Sequence, residues 1–144
     1  MLLLLLLTLG TSQMGFDEAK TTHHFRLYTD GGAIQVEAKD TKEAKDAKDT
    51  KGLVRTHLSH IAVMFGSGDF EAPMMVHDTK DVPGIKVLAE RHASLTYRYS
   101  ETPAGGRVEI VTTDAAALAA LHEFLRYQLR EHKTGDSVAV VPRK

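Results

Sequence analysis

The sequence predicts an α+β fold, a pseudo-duplicated ββα unit forming a four-stranded antiparallel sheet backed by two helices. Three observations point there. Short runs alternate apolar and polar residues with a period of two, and they come in two pairs. A Gly-Gly turn joins each pair, and a stretch with apolar residues at helical spacing follows each pair. A hairpin alone cannot bury its apolar side, so the two units are expected to share one sheet and one core.

In the first pair, Phe25 and Leu27 alternate with Arg26 and Tyr28. Asp30-Gly31-Gly32 is the turn. Ile34, Val36 and Ala38 then alternate with Gln35, Glu37 and Lys39. Residues 39–51 read KDTKEAKDAKDTK, a three-residue repeat with 5 lysines against 4 acids. Like charges meet at i,i+3, and the i,i+4 pairs run from Lys to acid, the weaker orientation. A solvated, at most partly helical insert is expected. In residues 53–65, Val54, Leu58, Ile61 and Phe65 form the apolar stripe of a helix, which Gly66-Ser67-Gly68 stops. Residues 69–84 read as irregular, with Pro73 and Pro83 at turns, and residues 86–91 as a short helical turn.

In the second pair, Leu95, Tyr97 and Tyr99 alternate with Thr96, Arg98 and Ser100. The turn Thr102-Pro103-Ala104-Gly105-Gly106 leads to a strand carrying Val108 and Ile110. Asp114 suits the N-cap of the next helix. Leu118, Leu121, His122, Leu125, Leu129 and His132 share one face of it, and Gly135 ends it. The helices align as Leu53-Val54-Arg55-Thr56-His57 against Leu118-Ala119-Ala120-Leu121-His122, which makes His57 and His122 equivalent.

The chain of 144 residues accommodates one domain and a leader. Residues 1–13 resemble a secretory signal: seven leucines and a threonine, then Gly10-Thr11-Ser12-Gln13, with no Lys or Arg in front. The apolar run is too short to span a bilayer. The domain is expected over residues 14–136, with the charged insert at 39–51 and a tail or edge strand at 137–144. A periplasmic or secreted location follows, without stable membrane insertion once the leader is removed. Lys+Arg number 18 and Asp+Glu 19, so no basic surface for nucleic acid is expected.

The absence of cysteine excludes disulfides, thiolate metal sites and cysteine nucleophiles. No serine lies in a nucleophile elbow, and no phosphate loop is complete. Histidine stands out, with 8 residues. His57, His60 and Met64 sit at i, i+3, i+7 of the first helix, and Met74, Met75 and His77 follow in the next loop. Imidazole and thioether without thiolate suit copper first; zinc comes second, with Asp69 or Asp78 completing the set. The expected ligands are His57, His60, Met64, Met74 and His77, with His23, His24 and His122 in reserve. His92 and His132 read as solvated. The role reads as sequestration or delivery of the ion rather than turnover. The competing reading is a non-catalytic periplasmic interaction module, with structural histidines and a protein partner.

Several strings carry a resemblance. They include Met14-Gly15-Phe16, Lys20-Thr21-Thr22-His23-His24-Phe25, His57-Leu58-Ser59-His60-Ile61-Ala62 and Ala72-Pro73-Met74. Near the end come Gly105-Gly106-Arg107-Val108, His122-Glu123-Phe124-Leu125-Arg126-Tyr127-Gln128 and Glu131-His132-Lys133-Thr134-Gly135-Asp136. Over about residues 14–136 the chain is similar to a group of small exported bacterial proteins without established activity. Some members carry the label aspartate carbamoyltransferase; a chain of this length without a carbamoyl-phosphate loop gives that label no support. The resemblance implies export and a shared fold, and brings no mechanism with it. The Lys/Asp triplet insert and the short leader depart from the group's pattern.

Overall fold

The structure is a computed structural model that describes residues 14–40 and 43–144. It is α+β. Its elements are β1 (Thr21–Tyr28), β2 (Gly31–Ala38), α1 (Ala44–Gly66), α2 (Glu71–Val76), α3 (Ile85–Glu90), β3 (Leu95–Thr102), β4 (Gly105–Thr112), α4 (Ala115–Glu131) and β5 (Val140–Val141). Single 3-10 turns occupy Glu18–Lys20 and His92–Ser94. Among the described residues no helix is long and apolar enough to cross a membrane.

The strand order is β3-β4-β2-β1-β5. The two hairpins pair through β2 and β4, with Ile34 opposite Val108. The expected four-stranded, wholly antiparallel sheet is corrected here: β5 adds a fifth strand, parallel to β1. Two residues of pairing cannot hold an edge strand alone; side-chain anchors do. The Asp136 carboxylate accepts from the Phe25 N–H, Arg26 and the His24 ring. Burial would raise this carboxyl, but those bonds and the Thr134 hydroxyl outweigh it and hold it at about 2. At the far end Arg143 pairs with Asp30 and Glu109 and lies 4.4 Å from the centre of the Tyr28 ring.

One face of the sheet carries Phe25, Leu27, Ile34, Val36, Val108 and Ile110, all buried. α1 packs over β2, β3 and β4, and α4 over β1 and β2. The helices meet where Phe65 lies 5.9 Å from Phe124, edge to face. The other face is polar, with Arg107 joined to Gln35, Glu109 and the Tyr28 hydroxyl.

Two helical segments go beyond the expectation from sequence. α1 begins at Ala44, inside the charged repeat, and Thr50 is buried. Once the packed part of a helix has formed, each added residue gains a hydrogen bond without a new nucleation cost. The Lys20–Asp46 ion pair, 3.0 Å, ties this extension to the turn before β1. The stretch expected to be irregular contains α2, and α3 follows Gly84. With φ of 82°, Gly84 sits so close to α4 that a Cβ would lie 2.2 Å from the Ala120 carbonyl oxygen. α3 therefore rests directly on α4, and the segment carrying His77 is held between α1 and that contact.

The Asp114 N-cap forms as expected, its side chain accepting from the Ala117 N–H at 2.9 Å while also pairing with Arg91 at 2.8 Å. Asp114→Ala is expected to lower stability, because the first turn of α4 loses its side-chain acceptor and Arg91 its partner. A reduced urea midpoint with an unchanged slope checks this.

Candidate metal centre

Four imidazoles line one largely apolar cavity of about 60 Å³: His23 from β1, His57 from α1, His77 after α2, and His132 at the C-cap of α4. Phe25, Ile61, Phe65 and Phe124 form much of the remaining wall. The alternation of β1 turns His23 inward and His24 outward, toward Asp136. The His23 and His132 rings stack at 4.5 Å with 10° between their planes. His77 stands edge-on to His132 at 5.3 Å. His57 meets the edge of Phe16 at 5.5 Å.

The imidazoles differ in their hydrogen bonding. The His132 Nδ1–H donates to Glu18 Oε1 at 2.6 Å. The His77 Nε2–H donates to the buried Gln128 Oε1 at 2.8 Å. The Nε2 of His23 is buried and has no hydrogen-bond partner among the described residues, while the residue as a whole is 8% exposed. Burial pushes His23 down from the ordinary 6.5 to about 3, with His132, His57 and His24 acting in the same direction. Burial, with His60 nearby, lowers His57 to about 4. His132 is also lowered, burial outweighing its bond to Glu18. At neutral pH His23, His57 and His132 are therefore uncharged; on His132 the proton sits on the Nδ1 that faces Glu18, and it would move to Nε2 for an ion to take its place between that nitrogen and the carboxylate.

Glu18, His23 and His132 each offer a ligand atom, all within 4.8 Å of one another. Donors around a tetrahedral zinc ion stand roughly 3.3 Å apart, given bonds of about 2.0–2.1 Å. Closing that gap would also turn the His23 and His132 rings out of their parallel stack, because an ion lies near the plane of each imidazole it binds. A polar groove of about 330 Å³, lined in part by Glu18, His24, Lys39 and Lys133, lies against His23 and His132, which border both spaces. An ion from solvent would reach the pair through this groove.

The structure separates the five ligands expected from sequence. His57 and His77 line the cavity. Met64 and Met74 are half-buried and pack on the hydrophobic core. His60 is exposed. The shared stripe of His57, His60 and Met64 is displaced from the core stripe: at 100° per residue His60 points about 130° away from the mean of Val54, Leu58, Ile61 and Phe65. Among the reserves, His122 donates from Nε2 to the Tyr28 and Gly31 carbonyls, at 2.9 and 3.0 Å, and so braces the first hairpin against α4.

The reading of His132 as solvated is corrected, since its side chain is 6% exposed and sits at the centre of the cluster. Its place on the apolar face of α4 was the available signal. Glu18 and Gln128 gave no such signal, because their partners lie 114 and 51 residues away. Comparison with family models, curated proteins and solved structures finds no match to this chain.

Proposed function

We propose that this chain is an exported metal-binding protein that holds one divalent ion, zinc ahead of copper, between Glu18, His23 and His132. Its role is sequestration or delivery. One observation carries the reading: His23, whose buried Nε2 has no hydrogen-bond partner among the described residues, belongs with Glu18 and His132 to a group whose ligand atoms lie within 4.8 Å of one another. A buried nitrogen left unmatched costs about 1–3 kcal/mol. An ion accepting that lone pair removes the cost.

The donor set changes the order of metals. Thioethers favoured copper, but this group contains none. Two imidazoles and a carboxylate are borderline donors that suit zinc. Export rests on the leader, which lies outside the described residues, and on the resemblance to small exported bacterial proteins. Strand, strand and helix occur twice in order, with His57 and His122 at matched places, which supports a duplicated ββα unit.

Titration of the chelator-stripped full chain with Zn(II), Cu(II) and Cu(I), then desalting and metal analysis, tests this. About one equivalent of zinc is expected to remain with the wild type. His23→Leu and His132→Ala, shown to be folded by circular dichroism, are expected to lose it. No metal on the wild type, or full retention by both variants, overturns the reading; retention of copper alone overturns the order of metals.

A further inference from the structure

We infer that His77 is a third imidazole of this centre and that loading the ion draws the end of α2 onto α4, closing the coordination sphere. The inference rests on the metal reading above and decides a further point: whether the ion keeps an open position for substrate or is enclosed.

Three observations support it. The first is spacing. Two imidazoles on one tetrahedral ion have ring centres roughly 5 Å apart. His77 and His132 stand at 5.3 Å with their planes 76° apart, which lets one ion lie near both planes. The second is the tautomer. A Gln oxygen only accepts, so the bond to Gln128 places the His77 proton on Nε2 and leaves the lone pair on Nδ1. An outer acceptor that orients a ring in this way accompanies most metal-bound histidines. Gln128 is itself buried on α4, one helical turn before His132, so a single helix face orients both rings.

The third is the setting of His77. It caps the six-residue α2, and Asp78 follows with φ of 49°. Pro73 and Val82 anchor the two sides of this turn in the core, while Met75 and Asp78 are exposed. A short approach of this turn is therefore possible without unpacking the sheet. It is also required, because the group within 4.8 Å comprises Glu18, His23 and His132 and does not include His77.

Three imidazoles and the Glu18 carboxylate make four donors. Four protein ligands on zinc leave no position for water or substrate, the arrangement of a holding site rather than a catalytic one.

Cobalt(II), titrated into the full chain as a coloured stand-in for zinc, tests the inference. The wild type is expected to give a four-coordinate visible band. His77→Ala is expected to bind at least about tenfold more weakly with an altered band. Free imidazole, which fits the space left by the ring, is expected to restore the band. His77→Gln, which keeps a polar side chain in the turn, is expected to behave likewise without rescue. Zinc is further expected to protect residues 77–84 from proteolysis in the wild type and not in His77→Ala. Unchanged affinity and band in both variants, with no response to imidazole, would overturn the role of His77 and leave the site of Glu18, His23 and His132 standing. Absence of cobalt and zinc uptake by the wild type is the distinct result that removes the underlying reading.

Discussion

In chelator, the metal-free protein is expected to lose about 4–5 kcal/mol of stability as the pH falls from 6.5 to 4.5. The cause is its interior imidazoles. Burial places His23 at about 3 and His57 at about 4, whereas in the unfolded chain each takes up a proton near 6.5. Between those values the unfolded state binds more protons than the native state. The contribution is therefore complete above pH 6.5 and drains away as the pH falls toward the native values. Two such groups give a slope of about 2.7 kcal/mol per pH unit near pH 5. His132, also lowered, acts in the same direction. Against a typical total of about 5–15 kcal/mol, this brings acid unfolding close to pH 4. Urea midpoints followed by far-ultraviolet circular dichroism from pH 7.5 to 5 measure the slope. His57→Leu removes one of the protons and is expected to cut it by about 1.4 kcal/mol per unit. A midpoint that stays level from pH 7 to 5 would show that these rings titrate as they do in the unfolded chain.

His23→Leu is expected to stabilise the metal-free protein while abolishing zinc retention. Leucine is close to histidine in size, suits a strand interior and carries no polar atom. Its substitution removes a buried nitrogen without a partner, worth about 1–3 kcal/mol at pH 7.5. At pH 5 it also removes one depressed titration, adding about 2 kcal/mol. The lost stack on His132 is replaced by apolar contact with Phe16 and Phe25, whose rings lie 6.1 and 6.4 Å from that of His23. A residue that costs the fold stability calls for another purpose, and the ion proposed above would supply one. The decisive comparison is the urea midpoint of variant and wild type at both pH values in chelator. A lower midpoint for the variant at pH 7.5 would mean that His23 serves the fold, which removes the main reason to assign it an ion.

Much of the fold was legible because it rests on near neighbours in sequence. The stripe of Val54, Leu58, Ile61 and Phe65 is buried as its spacing required. The alternating strands turn their apolar sides inward, and Asp114 caps α4. The extension of α1 into the charged repeat was not legible: local charge geometry opposed it, and packing at Thr50 with the reach of Lys20 decided it. For residues 137–144 the sequence leaves a tail and an edge strand as alternatives, because Asp136 and Arg143 fix the strand through partners more than a hundred residues away at Phe25 and Asp30.

The candidate centre divides in the same way. His57 and His77 were readable as donors, and both line the cavity. His60 was placed with His57 by helical spacing, but the rotation of α1 on the sheet sends it to solvent. His132 was undervalued because a helix end reads as exposed until the turn at Glu18 and strand β1 are seen to cover it.

By itself the sequence determined the elements, their inward faces and the supply of donor side chains, since periodicity and turn chemistry act between residues a few positions apart. Which donors meet was decided only by tertiary structure. Convergence depends on how β1, α2 and α4 approach one another, and those approaches are set by burial of side chains far apart along the chain.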